Sequence, residues 1–166
     1  MLSVFHHHSD KVNSIRWVRD GKCNHFVSSS YDKTSVIWHQ VTAGNFVPKH
    51  ILKGHIDSVI ISDSLIVNHS EEKLFLTATS SNDKSFRIWK NENLCFTENS
   101  NFFIFDIKLY NHLIIPGLIV LCAGSDELVK IKRFDLQNNQ LECLISLSGH
   151  SDWIRTVDLY SNVDGD

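Results

Sequence analysis

Histidine, serine or threonine, and aspartate recur in this chain in an order that could support acyl transfer. His8 opens "HSDKVNSI", and "FVSSSYDKTSVIWHQ" (residues 26–40) follows with its serines, Asp32 and Trp38. His55 stands in "GHIDSVII", and "FLTATSSNDKSFRIWK" (residues 75–90) follows with its hydroxyls, Asp83 and Trp89. A hydroxyl nucleophile, an imidazole base and an orienting carboxylate are the parts of a hydrolase triad. Such a nucleophile must be exposed beside an oxyanion hole. Here the hydroxyls fall inside runs that read as strands, no Gly-x-Ser-x-Gly elbow exists, and the set occurs twice. Repetition favours architecture over catalysis, so no catalytic residue is assigned.

Metal chemistry fares no better. His6, His7 and His8 are adjacent, and neighbours along a strand point to opposite faces. Cys23, Cys95, Cys122 and Cys143 lack both a CxxC pair and zinc-finger spacing, which predicts reduced, mostly buried thiols. No metal or cofactor is therefore expected. Lys130, Lys132 and Arg133 form the only local concentration of positive charge, read as a solvated strand face. With a net charge of −3 the chain lacks a broad basic footprint, and no direct nucleic-acid contact is expected. The longest apolar run, Leu113 to Ala123, is broken by Pro116 and Gly117, so no membrane partner is expected. The opening "MLSVFHHHSD" has no basic n-region and no adequate apolar core for a secretory signal, leaving cytoplasm and nucleus as the expected locations.

The elements that must position these residues are strands. Short runs such as "HFVSSS", "TSVIW", "LFLTATS", "SFRIW" and "LIVLCAG" alternate with polar turns, and an all-β fold follows. The two stretches quoted above share an apolar strand, a Ser/Thr-rich segment, an Asp-Lys turn and a strand ending Ile-Trp. A weaker copy, "VLCAGSDELVKIKR", places Asp126 on the turn and Lys132 where the tryptophan stood. His8 and His55 are 47 residues apart, and His55 and His150 are 95 apart, about two periods. One unit start lacks its histidine, and Ser100 falls in that slot.

A period of 47 with Gly-His at the front and Ile-Trp at the back resembles the WD40-repeat family, whose blades take about 40 to 45 residues. The resemblance implies a β-propeller of four-stranded antiparallel blades, with the extra length in loops such as "VRDGKCNH" and "SLIVNHSEEK". It also implies a hydrogen-bonded chain in each blade: His8, Ser28, Asp32 and Trp38 in the first, and His55, Thr79, Asp83 and Trp89 in the second. The third unit offers Ser100, Cys122, Asp126 and Lys132 in those slots, so it must rely on packing. Repeats are expected at about 8–52, 53–98, 99–147 (degenerate) and 148–166 (truncated), within one partial propeller over residues 1–166. WD40 repeats are offset from blades, so "MLSVF" is expected as a leftover outer strand and "HSDWIRTVDLY" as the first strand of a fourth blade. Three blades and a strand leave apolar faces open at both ends. That implies a piece of a longer protein, the favoured expectation, or open ends filled by a partner chain. Phe102, Phe103 and Phe105 are expected to pack between blades.

"GHSDWIRTVD" (residues 149–158) narrows the likeness, because Asp-Trp-Ile-Arg after Gly-His resembles the first propeller of the Elongator-type WD40 subunits, where it follows a degenerate blade. "KVNSIRWV" (residues 11–18) fits the same template in register. The likeness implies a non-catalytic scaffold that supports modification of wobble uridines in tRNA, with Elongator core subunits as partners and the chemistry in another subunit. The alternative is an unrelated WD40 adaptor that grips a peptide or partner protein.

Overall fold

The computed structural model describes residues 5–19, 24–69, 72–111 and 117–159. Among these residues twelve strands build three four-stranded antiparallel sheets, and no helix is present. The first sheet runs β1 (Val12–Trp17), β2 (His25–Ser30), β3 (Thr34–Thr42), β4 (Asn45–Lys53). The second runs β5 (Val59–His69), β6 (Glu72–Ser81), β7 (Ser85–Lys90), β8 (Asn93–Asn99). The third runs β9 (Ile104–Asn111), β10 (Leu118–Gly124), β11 (Val129–Asp135), β12 (Gln140–Leu147). These are the blades of an incomplete propeller, each a simple meander.

Sequence pattern explains the layering. "LIVLCAG" of β10 is apolar throughout and buried at every position, a strand flanked by β9 and β11 with one face in the core shared with the second sheet. The strand β12 at the other margin is mostly exposed, with Leu144, Ile145 and Leu147 uncovered alongside its polar residues. One core cluster joins the second and third sheets, with Leu76, Ile88, Ile107, Val120 and Phe134 among its buried members. A smaller cluster of Val18, Val27, Ile37 and Phe75 joins the first and second.

The turns between second and third strands share one device. Lys33, Lys84 and Glu127 have φ of 71°, 60° and 63°, left-handed conformations that cost a non-glycine residue about 1 kcal/mol or more. In the first two blades the preceding aspartate answers this. Asp32 Oδ1 accepts from the Thr34 amide at 3.0 Å, and Asp83 Oδ1 from the Ser85 amide at 2.8 Å.

Blades are joined by hydroxyls and by arginines. The hydroxyls of Ser29 and Ser35 lie 2.6 and 2.7 Å from that of Ser62, and Ser80 donates to the Ile104 carbonyl at 2.8 Å. Arg16 of β1 reaches past the second blade to the carboxylate of Asp106 and the carbonyl of Ile107 on β9. Arg19 pairs with Asp63 of β5 and donates to the Leu109 carbonyl. Both aspartates are 1 % exposed.

Residues 150–159 carry no assigned strand but start a fourth blade against the third. The Ile154 amide donates to Gly124 at 3.0 Å, and the Thr156 hydroxyl and Val157 amide each donate to Asp106 at 2.9 Å. Two loop expectations meet different outcomes. Within "SLIVNHSEEK", residues 64–69 and 72–73 are strand, so the extra length there extends the β5–β6 hairpin, with Leu65 opposite Leu76. Residues 20–23 of "VRDGKCNH" and 1–4 of "MLSVF" lie outside the described residues. No helix among the described residues is long and apolar enough to cross a membrane.

Candidate functional site

Register brings the chemically capable residues together. Ser28 pairs with Val36 across β2 and β3, so Trp38, two residues on, is its diagonal neighbour on the same face. Thr79 pairs with Arg87 across β6 and β7, and Trp89 stands in the same relation to it. In the first blade Trp38 Nε1 lies 2.8 Å from Ser28 Oγ, His8 Nε2 2.7 Å from that oxygen, and His8 Nδ1 2.8 Å from Asp32 Oδ2. In the second, the corresponding distances are 3.0 Å for Trp89 to Thr79, 2.8 Å for Thr79 to His55, and 2.9 Å for His55 to Asp83.

Donor and acceptor counts fix the direction of each chain. Indole N–H only donates and a carboxylate only accepts, so the tryptophan donates to the hydroxyl and the histidine Nδ1–H donates to the aspartate. The hydroxyl proton then goes to Nε2, which selects one neutral tautomer. Every donor and acceptor of the series is engaged.

The electrostatics agree with that tautomer. Burial pushes His55 below its ordinary value, outweighing the upward pull of the hydrogen bond and charge of Asp83, while Arg87 lowers it further. For Asp83 burial acts upward, but hydrogen bonds from Ser85, His55 and the Ile56 amide prevail and hold the carboxyl well below the usual carboxylate range. Asp32 behaves alike: burial raises it, and hydrogen bonds from Thr34, His8 and the Ser9 amide bring it below its ordinary value.

Hydroxyl, imidazole and carboxylate are thus spaced as a hydrolase triad would be, and the difference lies at the oxygen. Thr79 is 0 % exposed, and its oxygen already receives the Trp89 N–H, so no carbonyl carbon can approach it. Ser28 is 2 % exposed and likewise receives Trp38, although a recess of about 190 Å³ lined by Phe5, Ile15 and Phe26 opens beside it.

Thr34 and Ser85 are participants that sequence reasoning passed over. Each hydroxyl donates to its aspartate Oδ1 at 2.6 Å. Their signal was present in "DKT" and "DKS", the residue after the Asp-Lys turn, which the third unit replaces with Leu128.

The third blade uses other contacts at the same positions. Cys122 pairs with Lys130 in register, and Lys132 is its diagonal neighbour. Lys132 is 5 % exposed and places Nζ 2.6 Å from Glu98 Oε2 of β8, an ion pair between blades. Asp126 pairs with Lys130 at 2.5 Å, and Ser100 Oγ lies 3.0 Å from the carbonyl of Lys84. The basic trio is therefore not a solvated face: Lys132 is buried, and Arg133 pairs with Glu142 at 2.7 Å. A lysine fits there because its four-carbon stem crosses the apolar gap and its head meets a carboxylate from the next sheet.

The thiols also depart from expectation. Cys122 is buried and pushed up to about 11 by burial, hence unreactive, but Cys95 is half-buried and Cys143 exposed. Cys23 lies outside the described residues. Phe102 packs on the core cluster, while Phe103 stacks on Phe105, which meets the exposed Trp153 at 5.5 Å. Among the described residues no group of three His, Cys, Asp or Glu is placed to hold a metal ion.

Comparison with known proteins gives the same fold. The family model "WD domain, G-beta repeat" matches residues 1–39 and 46–90. The chain is 25 % identical over 177 residues to Elongator complex protein 2 of Danio rerio, covering 100 % of this chain and 20 % of that protein. It is 30 % identical over 164 residues to Elongator complex protein 2 of Mus musculus, covering 91 % and 19 % respectively. THO complex subunit 3 of Arabidopsis thaliana is 40 % identical over 85 residues, 49 % of this chain and 24 % of that protein. The chain spans about a fifth of the length of the two Elongator relatives.

Proposed function

This chain belongs to the WD40 repeat family, and from that premise we propose that it is a non-catalytic scaffold, part of an Elongator-type WD40 subunit. In this reading it holds protein subunits together in the cytoplasm and nucleus and supports modification of tRNA wobble uridines carried out elsewhere in the complex. The repeat divisions are about 8–52, 53–98, 99–147 and 148–166, and His8, Ser28, Asp32 and Trp38, with His55, Thr79, Asp83 and Trp89, act as internal struts. Similarity to Elongator complex protein 2 from several animals along nearly the whole chain supports the assignment.

The observation that carries the scaffold reading is the sealed hydroxyl. Each oxygen that could attack a substrate takes a tryptophan N–H and gives its proton to histidine, inside a blade, and the arrangement occurs twice. A catalytic group would need one of those bonds free in the resting state.

Affinity purification of the tagged full-length gene product from its own cells tests the proposal. Recovery of the other Elongator subunits in stoichiometric amounts is the expected result. Recovery of a different assembly, such as the THO complex that the shorter local match names, would replace it. Ester hydrolysis abolished by Ser28→Ala in a still-folded protein would overturn the non-catalytic part.

A further inference from the structure

At the ends of the first two blades opposite the Asp-Lys turns lies a recess of about 400 Å³ whose walls are basic. His25 from β2, His39 from β3, Lys49 and His50 from β4, and Lys73 from β6 line it over a floor that includes Phe75. None of the described lining residues is a carboxylate, and Glu92 stands behind His50 with its Oε2 2.6 Å from Nδ1. Two ammonium groups beside three imidazoles give this recess a positive potential that suits a negative guest.

Local hydrogen bonding points donors at such a guest. The bond to Glu92 fixes the His50 proton on Nδ1 and leaves Nε2 buried with no partner among the described residues. In that tautomer Nε2 is an acceptor, and only with a second proton on the ring does it donate to a ligand oxygen, which then satisfies an otherwise unmet buried atom. His39 Nδ1 and His25 Nε2 are 3.0 Å apart with rings stacked at 4.7 Å. That pair carries at most one positive charge while the bond lasts. Asn91, also on the wall, turns its Oδ1 to the Phe75 amide at 3.1 Å, so its NH₂ end is a further donor. Lys49 sits over the Phe75 ring at 5.3 Å.

We propose that this recess binds a phosphomonoester dianion carried on a peptide side chain of a partner protein. A phosphomonoester brings a charge of about −1.5 to −2 and three acceptor oxygens, which matches several convergent donors better than a single carboxylate does. An internal phosphodiester brings one charge per phosphate and calls for a basic track along the surface, whereas this chain has a net charge of −3 and these basic groups gather in a recess. The volume leaves room for the residue that carries the phosphoryl group. The site does not depend on which complex the chain joins.

Binding is strongest where both partners carry charge. The phosphoryl group loses its second proton near pH 6. Burial and the nearby Lys49 lower His50, and Glu92 raises it without restoring its ordinary value, so an incoming dianion supplies the missing compensation. Affinity therefore falls toward pH 8, as the His50 ring loses the proton that would face the dianion.

Calorimetry and imidazole NMR on the full chain test this with a phosphoserine peptide, the same peptide unphosphorylated, inorganic phosphate and a single-stranded oligonucleotide, at pH 6.5 and 8.0. The phosphopeptide should shift the ring signals of His25, His39 and His50 and bind at least about fivefold more weakly at pH 8.0. Lys49→Gln with Lys73→Gln should weaken it about tenfold, and both side chains are exposed, so folding is retained. Lys11→Gln with Lys33→Gln, at the other end of the first blade, should leave it unchanged. Unshifted ring signals at millimolar phosphopeptide, equal binding of the unphosphorylated peptide, tighter binding of the oligonucleotide, or binding of inorganic phosphate alone would each overturn the proposal.

Discussion

Asp83 accepts from His55, from the amide and hydroxyl of Ser85 and from the Ile56 amide, whereas Asp126 at the equivalent turn pairs with Lys130 near the surface. Removing the first carboxylate strands buried donors, and removing the second breaks an ion pair worth at most about 1 kcal/mol. Asp83→Ala should therefore destabilise by about 2 kcal/mol more than Asp126→Ala, read as the difference in denaturant midpoints, and equal losses would contradict the strut role. The same groups set the acid limb. His55 lies below its ordinary 6.5 when folded, so the unfolded chain takes its proton first, and stability falls as pH drops through that value. Asp83 lies below its ordinary 3.8, so its contribution is present above that pH and lost below it. Melting temperatures should decline in two stages, from pH 7 toward 5 and again below 4, and a flat profile in the first interval would remove His55 from the account. Of this site, the eight quartet positions followed from the likeness to WD40 repeats, carried by the His-x-Asp start, the Asp-Lys turn and the Ile-Trp ending. Thr34 and Ser85 were passed over although "DKT" and "DKS" recur, because a hydroxyl after a turn is common and gains meaning only when its aspartate is seen to bind it.

Element by element, the strands were legible where alternation and turn residues agree, as in "TSVIW" and "SFRIW". They were not legible where pairing overrides polarity. "VNH" in β5 and "EK" (Glu72 and Lys73) at the start of β6 read as a loop by composition, yet the hairpin carries the ladder outward through Val67 opposite Leu74. Lys132 was misread because its partner, Glu98, belongs to another sheet, and single-strand patterning holds no information about a neighbour 34 residues away. Glycine gives a sharper test of element packing. A Cβ on Gly124, the last residue of β10, would stand 1.8 Å from the Phe103 carbonyl oxygen, a backbone atom with nowhere to go. Gly124→Ala should cost about 3 kcal/mol, whereas Gly44→Ala meets no atom within 4 Å and carries only the strain of its φ of 75°. Thermal melts of the two variants should differ by at least about 5 °C in that order.

On the scale of the whole molecule, the blades are tied by charges as well as by apolar packing. Asp106 is 1 % exposed and receives Arg16 from the first blade, its own Ile107 amide, and Thr156 and Val157 from the start of the fourth. Arg16→Met should destabilise by about 2–4 kcal/mol, since it leaves a buried carboxylate without its cation; a loss under about 0.5 kcal/mol would mean that the remaining amides suffice. The span of this tie also constrains synthesis. Arg16 and Asp106 are separated by 90 residues, and a ribosome adds about 5–20 residues each second, so the arginine waits roughly 5–18 s for its carboxylate to exist. During that wait the guanidinium stays hydrated and the first meander can pair its own strands but cannot lock against its distant neighbour. The nascent chain therefore exposes a half-finished surface to chaperones for a time set by translation speed, and slowing codons between the two positions would lengthen it.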